Sequence, residues 1–161
     1  MKTKINIVLY SPEIPQNTGN ISRTCAVTGC ALHIIKPIGF EISDRTLKRA
    51  GLDYWDKLEV YYYESYADFE AKHGGKDTYY FSQKGKRLYC DIPLSDEVFI
   101  VFGKESVGLP EELLRKNADR TVRIPMLPDR RCLNLSNSVA IAAYDILRRS
   151  GFEDFLIEGS L

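Results

Sequence analysis

Three polar segments of the chain hold residues whose types and spacing could do chemistry. In Pro12-Glu13-Ile14-Pro15-Gln16-Asn17-Thr18-Gly19-Asn20-Ile21-Ser22-Arg23, a proline-stiffened loop leads into a helical pattern. Asn17 could cap that helix and Arg23 projects from its second turn. An arginine so near a helix start gains nothing from the helix dipole, which favours anions there. A phosphate-bearing ligand would account for it; a capped helix with a surface arginine is the plainer alternative. The second segment, Phe102-Gly103-Lys104-Glu105-Ser106-Val107-Gly108-Leu109-Pro110, leaves an apolar strand. Its glycines allow a ligand to approach the backbone, although an ordinary strand-loop-helix connection would use them equally well. The third runs from Ile124-Pro125-Met126 through Arg131-Cys132-Leu133-Asn134-Leu135-Ser136-Asn137-Ser138, crowding polar side chains onto the start of a very apolar helix. Capping needs one or two of them, and the surplus is what a buried polar ligand would require.

Other chemistries find little support. No G-x-G-x-x-G follows the first apolar run, and the spaced glycines of Gly103 to Gly108 are followed by Leu109 where a phosphate-binding loop needs lysine. His33 and His73 lie far apart in sequence, no ligand spacing resembles a zinc or iron site, and no metal is expected. The 22 basic and 22 acidic residues balance, so nucleic-acid binding would need local patches. Candidate patches are Arg45, Lys48 and Arg49, then Lys84, Lys86 and Arg87, then Arg130 and Arg131, each of which could equally be a solvated face. Cys25, Cys30, Cys90 and Cys132 form no C-x-x-C pair, which suggests a reduced, cytoplasmic protein. No apolar run approaches the ~20 residues of a membrane span, and the start MKTKINIVLYSPEIP reads as a mature first strand rather than a leader.

The elements that must position these segments alternate. Strands are predicted at Ile5 to Tyr10, Leu32 to Lys36, Glu59 to Tyr63, Thr78 to Ser82, Val98 to Phe102 and Thr121 to Ile124. Helices are predicted at Thr18 to Thr28, Ser43 to Ala50, Ser65 to Lys72 with a Ser65/Asp68 capping box, Pro110 to about Asn117, and Ser136 to Arg149. The pattern predicts an α/β fold: a mostly parallel six-stranded sheet with helices on both faces, in one domain spanning residues 1–161. In that arrangement the three segments follow the carboxyl ends of strands, where such folds bind ligands. The last helix carries Ile141, Ala142 and Tyr144 beyond its Val139-Ala140-Ala143-Ile146-Leu147 stripe. This second apolar face is either core or an interface.

Asn17-Thr18-Gly19-Asn20-x-x-Arg23, Phe102-Gly103-Lys104-Glu105-x-x-Gly108-Leu109-Pro110, and Ile124-Pro125-Met126 with Leu133-Asn134-Leu135-Ser136-Asn137 together resemble the three motifs of the trefoil-knotted SPOUT methyltransferases, in order. Leu9-Tyr10-x-Pro12-Glu13-Ile14-Pro15 and Arg49-Ala50-Gly51-Leu52-Asp53-Tyr54 further resemble its minimal, single-domain subgroup, which 2′-O-methylates the wobble nucleotide, cytidine or uridine, of certain tRNAs. The resemblance implies an S-adenosyl-L-methionine-dependent homodimer acting on the tRNA anticodon stem-loop, with a C-terminal trefoil knot. It also implies that Phe81, Gly103, Ile124, Cys132, Leu133 and Asn134 bind the cofactor and that Arg23, with Asn17 and Glu105, serves the methyl acceptor. Cys132 replaces the more usual serine, leaving a weaker thiol donor. A guanidinium loses its proton only above ~pH 12, so Arg23 is read as a phosphate and oxyanion holder rather than a base. Glu105 is a candidate proton acceptor, or else pairs with Lys104 or caps neighbouring backbone. The basic clusters would contact RNA phosphates, two protomers doubling the patch. Competing expectations are a ribosomal RNA ribose methyltransferase and a non-catalytic RNA-binding module on the same fold.

Overall fold

The computed structural model of the 161-residue chain describes residues 2–43, 45 and 55–161. Its strands are β1 (Lys4–Tyr10), β2 (Ala31–Ile35), β3 (Val60–Tyr63), β4 (Thr78–Phe81), β5 (Arg87–Leu88), β6 (Glu97–Phe102) and β7 (Thr121–Arg123). They form one sheet in the order β3-β2-β1-β6-β4-β7-β5, and every pairing is parallel. Among the described residues the sheet therefore has seven strands, not six. The extra one, β5, pairs Arg87 with Val122 and Leu88 with Arg123 at the edge. Two residues behind the charged run Lys84-Gly85-Lys86 carry no periodicity that a sequence reading could detect.

The central strands are apolar because both of their faces are covered. Ile5, Ile7 and Leu9 of β1 point to one side, where they meet Ile21 and Cys25 of α1 (Pro15–Thr28) and Val139, Ala142, Ala143 and Ile146 of the C-terminal helix. The alternate residues, Val8 with Phe99 and Val101 of β6, face Phe69 of α2 (Tyr66–His73) and Leu114 of α3 (Glu111–Lys116). The C-terminal helix is α4 (Leu135–Arg149), which packs beside α1. Its second apolar face is split: Ala142 belongs to the core, whereas Ile141 is 36% and Tyr144 43% exposed in the single chain.

Helix ends follow the residues that can cap them. Ser65 accepts from the Asp68 amide at the start of α2, as the capping box requires. By contrast, α1 begins three residues earlier than the sequence reading placed it, because Pro15 fits the first helical position. Asn17 then lies inside the first turn and is no cap, and Arg23 falls in the third turn, beyond the reach of the helix-start argument. Pro110 precedes α3 as its cap residue rather than lying in its first turn. All but Ser43 and Arg45 of the helix predicted over Ser43 to Ala50, the motif Arg49 to Tyr54, and the candidate contacts Lys48 and Arg49 lie outside the described residues.

Toward the amino ends of the strands, β2 buries His33 in a polar chain. His33 Nε2–H donates to Asn6 Oδ1 at 3.1 Å, since the Asn6 amide nitrogen is turned toward Glu97 and the Val98 carbonyl. The other ring nitrogen, Nδ1, must then accept from the Tyr63 hydroxyl at 2.8 Å, and that oxygen accepts from His73 Nε2–H at 2.9 Å. Burial holds the His33 imidazole down at about 4, and His73 is lowered for the same first reason.

Candidate active site

At the carboxyl ends of β4, β6 and β7, the chain opens a cleft of about 530 Å³. This is within the range of small-ligand sites. Phe81 and Phe102, the last residues of β4 and β6, stack with ring centroids 4.5 Å apart and form an apolar wall. Ile124 and Met126 follow β7, and Cys132, Leu133 and Asn134 precede α4 on the far side. Eight of the nine predicted catalytic and cofactor residues line this one cleft: Asn17, Phe81, Gly103, Glu105, Ile124, Cys132, Leu133 and Asn134. The ninth, Arg23, is exposed on α1 and outside the lining.

Asn17 joins the three segments physically. Its Nδ2 donates to Glu105 Oε1 at 3.3 Å, and its Oδ1 accepts from Asn134 Nδ2 at 3.0 Å. Asn17 is only 5% exposed, while its partners Glu105 and Asn134 reach it from more open positions. Asn134 in turn caps α4, its Oδ1 accepting from the Ser136 amide at 2.9 Å and the Asn137 amide at 3.3 Å. The Ser136 hydroxyl donates to the same oxygen and the Ser138 hydroxyl to the Asn134 carbonyl. Much of the polar surplus read from the third segment is thus spent within the cap rather than on a ligand.

Glu105 is engaged by backbone amides and by Asn17. Its carboxylate accepts from the Glu13 amide at 2.8 Å and the Ile14 amide at 3.0 Å, besides Asn17. Ile14 is the residue ahead of α1 and makes no side-chain cap of its own, so a carboxylate from another loop covers donors at that helix start. The loop that carries Glu105 folds tightly on itself. The Gly108 amide donates to the Lys104 carbonyl at 2.9 Å, and a Cβ on Gly103 would lie 2.1 Å from the Gly108 carbonyl carbon. Only glycine fits there, which is a close-approach requirement between two strands of one loop.

Ile14, Phe102, Ser106 and Met126 line the cleft from within the three segments without having been given a role of their own, and Gln83 lies outside them. Phe102 could have been read from its place at the end of an apolar strand. Gln83 had no signal: it is brought in by the loop after β4 and meets the Cys132 sulfur. The RNA candidates divide. Arg45, Lys86, Arg130 and Arg131 are exposed. Lys84 lines the cleft and pairs with Glu111. Arg87 donates to the main-chain carbonyls of Asp119 at 2.8 Å and Asp91 at 3.3 Å, so its guanidinium holds β5 in place. Among the described residues, no group of three or more His, Cys, Asp or Glu could hold a metal ion, and no helix is long and apolar enough to cross a membrane.

Residues 4–144 match the SpoU rRNA Methylase family. The chain belongs to that family. A Listeria monocytogenes protein provisionally named tRNA (cytidine(34)-2'-O)-methyltransferase is 53% identical over 156 residues, covering 95% of this chain and 92% of that one. A solved structure described as giving insight into the 2-OH methylation of C/U34 on tRNA aligns with a TM-score of 0.87 at 40% identity, over 94% of this chain and 99% of that one. The SpoU methyltransferase AviRb from Streptomyces viridochromogenes, solved in complex with AdoMet, shares the fold at 20% identity, with a TM-score of 0.78 over 93% of this chain and 59% of that one. For a SpoU-family chain, the three sequence segments, the parallel sheet and the cleft at its carboxyl edge form one consistent arrangement.

Proposed function

We propose that this chain is an RNA ribose methyltransferase that transfers a methyl group from S-adenosyl-L-methionine to the 2′-hydroxyl of nucleotide 34, a cytidine or uridine, in tRNA. The substrate reading is carried by full-length identity to relatives named for that nucleotide. The site reading rests on the Asn17 joint, which gathers the three segments around one cleft. The lining suits the cofactor in kind. Phe81, Phe102, Ile124 and Leu133 offer apolar surface to a purine, and the side chains of Gln83, Asn134, Ser138 and Lys104 offer partners for hydroxyl, amino and carboxylate groups. When bound, S-adenosyl-L-methionine supplies an electrophilic methyl group on a sulfonium sulfur.

The protein's own work in this reading is positioning, since an in-line displacement needs the attacking oxygen aligned and shielded. Cleft residues Gly103, Ile124, Cys132, Leu133 and Asn134 hold the cofactor, and Phe81 closes one wall. Arg23 holds the phosphate and the developing oxyanion of the acceptor ribose from α1. Glu105, engaged by three donors, fixes the start of α1 instead of taking the proton. Exposed Arg45, Lys86, Arg130 and Arg131, together with Lys48 and Arg49, serve the anticodon stem-loop.

Residues 1–161 act as one methyltransferase domain in the cytoplasm, its C-terminal segment threaded as a trefoil knot. Two chains pair through the exposed apolar residues Val27 of α1 and Ile141 and Tyr144 of α4. Incubation with labelled S-adenosyl-L-methionine and, separately, total tRNA and ribosomal RNA, followed by mapping of the methylated nucleotide, tests the reading. Label at a 2′-oxygen of position 34 is the expected result. Label only in ribosomal RNA would move the substrate to the class in the family's description, and no transfer to either RNA would leave a binding module.

A further inference from the structure

Glu13 occupies a place where three pieces of chain meet, yet it lines no part of the cleft. Its carboxylate Oε1 accepts from the Ser106 hydroxyl at 2.6 Å and the Ser106 amide at 3.1 Å. In the opposite direction its own amide donates to Glu105 Oε2 at 2.8 Å. Residues 13 and 14 and residues 105 and 106 thus exchange carboxylate-to-amide contacts both ways, across 93 positions for the Glu13–Ser106 pair. The Ser106 hydroxyl and amide hold the Glu13 carboxyl below the usual range, which keeps it an acceptor. On its other side, the Glu13 backbone is pressed by the loop after β2. The Gly39 amide donates to the Pro12 carbonyl at 2.9 Å, and a Cβ on Gly39 would lie 2.9 Å from the Glu13 Cα.

We propose that Glu13 is a positioning residue for methyl transfer, registering α1 and its Arg23 against the loop of residues 103–108 through Ser106. The inference rests on the methyltransferase reading above. The loop keeps its own shape without Glu13, because Lys104 and Gly108 bridge each other and Gly103 packs on Gly108. Glu105 already ties this loop to the start of α1 through the Glu13 and Ile14 amides and Asn17; what the Glu13 side chain adds is the tie to Ser106, a second point that fixes the alignment of the acceptor side with the cofactor side. Small misplacements of that kind cost rate far more than affinity, on the order of 10²-fold for ~1 Å.

Three variants test this. Glu13→Ala should lower kcat on tRNA by on the order of 10- to 100-fold while the Kd for S-adenosylhomocysteine stays within about twofold. Glu13→Gln retains an oxygen that accepts both Ser106 donors and should recover most of kcat. Gly39→Ala, which pushes on the Glu13 backbone from outside the site, should lower kcat in the same way with product affinity retained. Amide hydrogen exchange of the isolated protein supplies a readout apart from turnover: in Glu13→Ala, exchange at Ser106 should quicken at least about tenfold while β6 stays protected. Unchanged exchange at Ser106 overturns the inference whether or not the protein methylates tRNA. Wild-type turnover with full kcat in Glu13→Ala overturns it while leaving the methyltransferase reading standing. Absent wild-type turnover sinks that reading, and the inference with it.

Discussion

The side-chain amide of Asn134 donates to the side-chain oxygen of Asn17 over 3.0 Å, joining positions 117 residues apart. Asn17 is buried and its other end is taken by Glu105, so the contact ties the start of α4 to the start of α1. Asn17→Ala removes both contacts and leaves polar partners short of hydrogen bonds, a loss of about 1–3 kcal/mol. Asn134→Ala loses the helix cap as well, about 1 kcal/mol. Because the two side chains share one contact, the double variant should lose less than the sum of the singles, by at least about 0.5 kcal/mol. Urea unfolding of the four proteins measures this; strict additivity would mean that the contact contributes nothing.

Arg23 is expected to act on the acceptor side alone. Arg23→Ala should abolish transfer while calorimetry still shows uptake of S-adenosylhomocysteine, since Arg23 is not among the residues lining the cleft. Arg23→Lys should recover little, because an ammonium lacks the planar fork that grips a phosphate at two points. Near-normal turnover in Arg23→Ala would remove this residue from the reaction.

The buried His33 chain should make stability depend on pH. Its imidazole titrates at about 4 in the folded protein against 6.5 ordinarily, so between those values the unfolded chain binds the additional proton. Stability is therefore full above pH 6.5 and declines as pH falls toward 4, by about 3 kcal/mol for this group. The lowered His73 acts in the same direction. Lys4, Glu59 and Glu97 also face His33, with the carboxylates opposing part of the shift. Denaturation midpoints at pH 7 and pH 5 should differ in the wild type and differ less in His33→Gln, where the lowered His73 still titrates.

How much of this was legible in the sequence depended on how local the signal was. The six strands that were read agree with the structure to within a residue at either end, because short runs rich in apolar, aromatic and β-branched residues, bounded by turns, specify a buried parallel strand locally. The start of α1 was misplaced because Pro15, Gln16 and Asn17 resemble a loop ending in a cap at Asn17, whereas Pro15 takes the first helical position and Asn17 is engaged by Glu105 and Asn134. The cleft residues were found from the resemblance of three motifs, each weak alone. Gln83 and Ser106 escaped because their roles arise only from chain segments that meet across the fold. The competing roles for Glu105 could not be separated by residue type, since a carboxylate takes a proton or caps a helix equally well; the structure shows its contacts with the Glu13 and Ile14 amides and with Asn17, which no spacing in the sequence reveals.

Gly103→Ala should separate folding of the cleft from folding of the sheet. A Cβ there meets main-chain atoms at 2.1 and 2.2 Å, and backbone cannot swing aside as a side chain would. The loop of residues 103–108 must open, so S-adenosylhomocysteine binding should drop by at least about tenfold, while the sheet, whose core lies behind Phe102, retains its circular dichroism spectrum. Unaltered product affinity would show that this loop is not part of the cofactor site.

The basic residues are expected to split by what their side chains already hold. Arg130 and Arg131 are exposed and should contribute phosphate contacts, so alanine at either should reduce the slope of log affinity for an anticodon stem-loop against log salt by about one each, leaving thermal stability unchanged. Arg87 behaves differently because its guanidinium donates to the carbonyls of Asp119 and Asp91. Arg87→Ala should destabilise the protein by about 1 kcal/mol through β5 and leave the salt slope nearly intact. If Arg87→Ala lowers the slope as much as Arg130→Ala does, its hydrogen bonds to the main chain give way to RNA on binding, and β5 belongs to the RNA surface rather than to the sheet edge alone.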